Sequence, residues 1–340
     1  MNVLVTGGAG YIGSHTVVEL LEAKHEVIII DNFSNSDPEV LFRIAKITGQ
    51  QPKIYEGDVQ DTALLNKIFK DNKIDAVMHF AGFKAVGESV SEPLTYYRNN
   101  LGSSLSLLEV MGDNDINKLI FSSSTTVYGE PEELPLRETS RTGQGITNPY
   151  GQTKYMIEQI LSDLAHSDPS WEIISLRYFN PVGAHETGLI GEDPQGIPNN
   201  LLPYVTQVAV GKLDKLKVFG NDYDTPDGTA IRDYIHVVDL AKGHVAALEQ
   251  LKPSNKIQAY NLGTGKGSSV LQVLKAFEKA SGKTIPYEIA GRRPGDVACN
   301  YADVSKAKIE LKWQTAKTLE EACADSWHWQ SQNPDGYTSK

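Results

Sequence analysis

Two cysteines, Cys299 and Cys323, are all that a chain of 340 residues carries. So few exclude a disulfide framework, and there is no Cys-x-x-Cys pair for a redox or zinc site. Both are expected as small buried hydrophobes in a reducing compartment. No apolar run approaches the ~18 residues of a membrane span. The opening Met1-Asn2-Val3-Leu4-Val5-Thr6 lacks the charged region and long apolar stretch of a secretory leader, so a cytoplasmic protein is expected. Positive charge is in deficit: 32 Lys and Arg stand against 43 Asp and Glu, a net −11. That excludes bulk attraction to nucleic acid or an anionic membrane, though not a local basic pocket for a phosphate. The eight His show no metal-ligand spacing; His236 and His244 read as structural, and no metal site is expected.

Short apolar runs alternate with amphipathic segments through the first half. Val3–Val5, Val27–Ile30, Lys53–Tyr55, Ala76–Phe80, Lys118–Phe121 and Ile173–Tyr178 read as strands. Residues 16–21, 62–70, 99–111 and 153–166 read as helices between them. This alternation predicts βαβ units, and unbroken apolar strands predict a parallel sheet covered on both faces. The second half is less regular. Residues 181–200 and 220–230 read as loops rich in Gly, Pro, Asn and Asp, and 201–211, 239–251, 270–281 and 319–330 as helices. A boundary is expected near residue 180, with the segment near 232–262 a candidate to return to the first unit.

Gly7-Gly8-Ala9-Gly10-Tyr11-Ile12-Gly13 follows the first strand and opens the first helix. Glycines there allow a tight turn and close approach of a pyrophosphate to backbone N–H groups, with the helix dipole favouring the anion. Asp31 ends the second strand 18 residues beyond Gly13, where a carboxylate can bind the adenosine ribose. It repels a 2′-phosphate, and no Arg is placed to offset that, Arg43 being the nearest beyond it; NAD is therefore expected rather than NADP. Tyr150-Gly151-Gln152-Thr153-Lys154 puts a phenol and an ammonium on one helix face. The ammonium is expected to lower the phenol's pKa from ~10 and make it an acid/base near neutrality. The upstream run Phe121-Ser122-Ser123-Ser124 offers a hydroxyl to the reacting oxygen.

The glycine spacing, with Asp58-Val59, Phe80-Ala81-Gly82 and Asn99, resembles the extended short-chain dehydrogenase/reductase group. The resemblance narrows at Leu176–His185, at Gly191-Glu192-Asp193-Pro194-Gln195-Gly196-Ile197-Pro198-Asn199-Asn200-Leu201 and at Arg232–Val237, which are similar to the UDP-glucose 4-epimerases nearly end to end. It implies a Rossmann-type doubly wound α/β fold, with residues 1–180 binding NAD and 181–340 forming a smaller α/β lobe for a UDP-sugar. It implies Ser124, Tyr150 and Lys154 as catalytic residues. It implies cofactor contacts at Gly7, Gly10, Tyr11, Ile12, Gly13, Asp31, Asn32, Asn35, Ser36, Asp58, Val59, Phe80, Ala81, Gly82, Lys84, Asn99, Ser124, Tyr150, Lys154 and Tyr178. Substrate contacts are implied at Lys84, Ser124, Tyr150, Asn180, Asn200, Leu201, Phe219, Arg232, Tyr234, Arg293, Asp296 and Asn300. Arg232 and Arg293 suit a pyrophosphate because guanidinium forks match phosphate oxygens.

The activity so implied is reversible C4 epimerisation of UDP-glucose and UDP-galactose through a 4-keto sugar, with NAD retained, in a homodimer paired through helices near 94–111 and 150–166. Counting on from Arg292-Arg293-Pro294-Gly295-Asp296 puts Asn300 at a wall beside the sugar's 2-substituent. An Asn there predicts a pocket wide enough for the N-acetyl sugars. The alternatives are a nucleotide-sugar 4,6-dehydratase, another NAD-dependent sugar-nucleotide oxidoreductase, or a dinucleotide sensor without activity. The dehydratase requires a carboxylate after the serine, and Ser124-Thr125-Thr126-Val127-Tyr128 has none.

Overall fold

The computed structural model describes every residue except Pro294, Ser339 and Lys340, so Pro294 of the Arg-Arg-Pro-Gly-Asp run lies outside the described residues. The first half runs β1 (Asn2–Thr6), α1 (Tyr11–Glu22), β2 (Glu26–Asp31), α2 (Glu39–Thr48), β3 (Lys53–Glu56), α3 (Thr62–Asp71), β4 (Ala76–His79), α4 (Val86–Ser91), α5 (Pro93–Asp113), β5 (Lys118–Ser124), α6 (Pro149–Ser167) and β6 (Glu172–Tyr178). The second half runs β7 (Asn180–Val182), α7 (Leu201–Ala209), β8 (Leu216–Phe219), β9 (Ile231–His236), α8 (Val237–Leu248), β10 (Gln258–Leu262), β11 (Gly267–Ser269), α9 (Val270–Ser281), β12 (Tyr287–Ala290), β13 (Cys299–Asn300) and α10 (Leu319–Gln332).

Seven parallel strands form the main sheet in the order β3-β2-β1-β4-β5-β6-β10. The chain order reverses between β1 and β4, so the loops after these strands part and leave a crevice at the carboxyl edge. Strand composition follows from burial on both faces. Ile28, Ile29 and Ile30 of β2 are all buried, each contributing roughly 1.5–3 kcal/mol relative to exposure. One face packs against α1, α2 and α8 through Val17, Leu20, Ile44 and Leu240. The other packs against α3, α5 and α6 through Leu65, Ile68, Leu107 and Ile157.

β10 comes from the second half and pairs with β6, and α8 lies against α1. The remaining elements build a separate core of Leu202, Val205, Val218, Val273, Phe277 and Cys323 under α7, α9 and α10. Helix ends are set locally there. Ser269 with Gln272 and Thr318 with Glu321 form capping boxes at the starts of α9 and α10. β9 joins β7, β11 and β13, and β8 pairs with β12.

Candidate active site

The glycine run forms the floor of the crevice. Gly7 has φ +69°, and a Cβ on it would stand 2.8 Å from Ala81 N. A Cβ on Gly13 would meet Gly7 O at 2.1 Å, so β1, the turn and α1 close only with glycine at both places. α1 begins at Tyr11, with Gly10 as an N-cap that has no side chain to offer and with no acidic residue in the first turn. Its first N–H groups thus point into the crevice without a side-chain acceptor, the arrangement a phosphate needs. Asp31 faces this turn: its carboxylate accepts Ala9 N, Phe33 N and Ser36 Oγ, each at 2.9 Å. Asp58 accepts Asn32 Nδ2 at 3.1 Å and Gln60 N at 2.8 Å, with Val59 buried beside it. Ala81 N donates to Thr6 Oγ1 at 3.2 Å. This cradle fits a dinucleotide. Arg43 is held elsewhere, on Glu39, Leu189 O and Asn333 and against the rings of Trp329 and Tyr337, so it offers nothing to a 2′-phosphate.

β5 and α6 carry the chemistry. Asn148 caps α6 by accepting Gly151 N at 2.8 Å, with Pro149 at the first helical position, which fixes Tyr150 in the first turn. Ser124, Tyr150 and Lys154 are 8%, 8% and 6% exposed. Ser124 Oγ accepts Thr126 N at 3.3 Å and is the side chain that opposes the upward shift of the Tyr150 phenol. Lys154 Nζ donates to Ser122 O at 2.7 Å and lies 6.0 Å from the Tyr150 ring centre. Ser122 Oγ in turn bonds the Tyr178 hydroxyl.

One electrostatic expectation is corrected. Burial pushes the Tyr150 phenol up to about 12, opposed by Ser124. The ammonium is turned toward the Ser122 carbonyl, and burial pushes it down to about 8. The polypeptide alone therefore holds Tyr150 as a neutral phenol, because desolvation disfavours the phenolate.

The facing wall comes from the second half. Arg232, on β9, donates to Ile231 O and Val297 O, both at 2.8 Å, and lies 3.8 Å from Asp296. Arg293 pairs with Asp296 at 2.9 Å and stacks over Phe219, 4.9 Å from the ring centre. Asn300, on β13, is in register with Arg232, and its Oδ1 is buried with no partner. Tyr234 is packed in the core of this half, and Asn180 pairs with it across β7 and β9. Leu201 begins α7.

Sequence reasoning gave no role to three residues. Glu192 accepts Lys84 Nζ and Asn200 Nδ2, each at 3.0 Å, and so ties the two halves across the crevice. Asn100 bonds both backbone groups of Phe83 and donates to Thr153 Oγ1, which donates to Tyr150 O; the neighbouring Asn99 donates to Asn100 Oδ1. Glu158 lies one turn beyond Lys154, a spacing that could have signalled it.

Residues 3–263 match the model of the NAD dependent epimerase/dehydratase family. A UDP-glucose 4-epimerase of Pasteurella multocida is 59% identical over 337 residues, 99% of each chain. The crystal structure of UDP-glucose 4-epimerase from Bifidobacterium longum in complex with NAD+ and UDP superposes with a TM-score of 0.96 at 58% identity, covering 99% of this chain and 100% of that one. The UDP-Glc/GlcNAc 4-epimerase of Campylobacter jejuni superposes at 0.84 with 38% identity, covering 97% and 99%.

Proposed function

The chain belongs to the NAD dependent epimerase/dehydratase family, and from that premise we propose that it interconverts UDP-glucose and UDP-galactose at C4. The observation that carries this reading is the buried Ser124–Tyr150–Lys154 group beside a glycine cradle built for a dinucleotide. NAD, when bound, would supply a reversible hydride acceptor and a positive charge. Tyr150 takes the proton from the 4-hydroxyl, and Ser124 hydrogen-bonds the same oxygen. Lys154 would hold the nicotinamide ribose. The 4-keto sugar turns about its link to the diphosphate and presents its other face, and Tyr150 gives the proton back. Arg232 and Arg293 bind the diphosphate, with Lys84, Asn180, Asn200, Leu201, Phe219, Tyr234 and Asp296 around the nucleotide. A 4,6-dehydratase is not favoured, because Thr125-Thr126-Val127-Tyr128 after Ser124 carries no carboxylate.

The finer reading concerns the sugar. The unpartnered Asn300 Oδ1 supports a wide pocket, since an acetamido N–H would satisfy it. UDP-N-acetylglucosamine and UDP-N-acetylgalactosamine are then substrates too. Exposed Leu94, Leu105 and Met156 on α5 and α6 support a homodimer through these helices. Among the described residues no helix is long and apolar enough to cross a membrane, and the enzyme is read as cytoplasmic. The test is incubation with UDP-galactose and UDP-N-acetylgalactosamine separately, without added NAD. Each is expected to yield its 4-epimer without accumulation of NADH. Steady NADH growth would make the protein a net oxidoreductase, and no conversion would make it a sensor.

A further inference from the structure

The mechanism leaves Glu158 without a task. Its carboxylate is 2% exposed and accepts Ser123 Oγ and Ser175 Oγ, each at 2.7 Å. Arg177 Nε and Nη2 approach it at 3.0 and 2.6 Å. Ser123 stands between Ser122, whose carbonyl takes Lys154, and Ser124, which acts on the Tyr150 phenol. Arg177 precedes Tyr178 on β6, and its Nη1 reaches Tyr128 OH at 3.2 Å and Glu138 O at 3.3 Å. One carboxylate on α6 therefore touches both strands that carry the remaining polar groups of the site. A buried ion pair is a poor source of net stability, because desolvation offsets most of the attraction. Its value lies in registry.

We propose that Glu158 is a positioning residue of the hydride-transfer site: it pins α6 to β5 and β6 so that Ser124, Tyr150 and Lys154 face one point. This rests on the reading of Tyr150 and Lys154 given above. The groups facing Lys154 are Tyr150 on its own helix, the Phe121 ring and Ser122 carbonyl of β5, and His79 from β4. Burial keeps His79 neutral, holding it near 3. Burial raises Tyr150 and Tyr178, which keeps both phenols neutral. Glu158 is the charged group that opposes the downward shift of Lys154. Removing its charge therefore lets Lys154 lose its proton at lower pH.

Glu158→Gln keeps the shape and most hydrogen bonds. In this variant the alkaline limb of kcat for UDP-galactose should move down by roughly half to one pH unit. kcat at the optimum should fall about tenfold while KM stays within about twofold. Glu158→Asp, which keeps the charge, should restore the limb. If Glu158→Gln does not fold, Glu158→Gln/Arg177→Gln removes both charges together, and the limb should still fall because Glu158 is the member that acts on Lys154. A wild-type limb and kcat in Glu158→Gln or in the double Gln variant overturn the proposal, as does a rise in KM alone. If neither variant folds, the pair is a folding element and the proposal is overturned. A wild type that converts no UDP-sugar overturns the underlying reading of the site and the proposal with it; an active wild type with unchanged variants overturns the proposal alone.

Discussion

The two walls of the crevice are built differently. Ser124, Tyr150 and Lys154 are buried on a strand and a helix of the main sheet, and the glycine cradle beside them is backbone. Arg293 and Asn200 sit on or beside loops, are partly exposed, and are held by carboxylates, Asp296 and Glu192. The chemical wall tolerates little movement, because its groups lie in low dielectric where a misplaced polar atom is costly. The recognition wall uses long side chains near water, where each contact is worth less and can be adjusted.

If this contrast is right, damage to the first wall reduces turnover and damage to the second reduces affinity. Tyr150→Phe is expected to reduce kcat by roughly 10²–10⁴ while leaving the fold and the bound dinucleotide intact, as steady-state rates and extracted NAD will report. Turnover within about threefold of wild type would remove Tyr150 from the acid/base role. Gly13→Ala comes next. Its Cβ would collide with Gly7 O, so NAD content per chain and the melting temperature should both fall. An unchanged NAD content would break the account of the cradle. Arg293→Ala should raise KM for UDP-galactose about tenfold with kcat nearly unchanged, the signature of lost uniform binding. A fall in kcat alone would move Arg293 to the chemical wall. Asn300→Tyr has the narrowest effect expected: loss of N-acetyl turnover with UDP-galactose turnover spared. Equal loss of both would show that Asn300 is not a selective wall.

Most of the first half could be read from pattern because its strands are continuous apolar runs and its helices are long. The first helix starts at Tyr11 rather than Thr16, since glycines in its opening turn weaken the helical signal. α2 is absent from the sequence reading; its apolar face, Val40, Leu41 and Ile44, is short and follows a polar stretch. β8, β9, β12 and β13 are short strands stabilised by partners distant in the chain, so neither β8 nor β12 identifies itself alone. The direction of the Tyr150 shift also lay beyond the sequence. Spacing places Lys154 on the same helix face, but only packing turns its ammonium to Ser122 and buries the phenol.

The sequence by itself determined the glycine turn, the shared helix face of Tyr150 and Lys154 and the parallel sheet, because each is a local property: glycine φ freedom, i,i+4 spacing on a helix, and unbroken apolar strands. Tertiary structure decided what depends on long-range contact. It brought Glu192 between Lys84 and Asn200, joined Asn100 to Thr153 beneath Tyr150, and set Glu158 against Ser123, Ser175 and Arg177. These partners lie between 8 and 108 positions apart in the chain, and their side chains meet only because the sheet packs its strands and helices into one register.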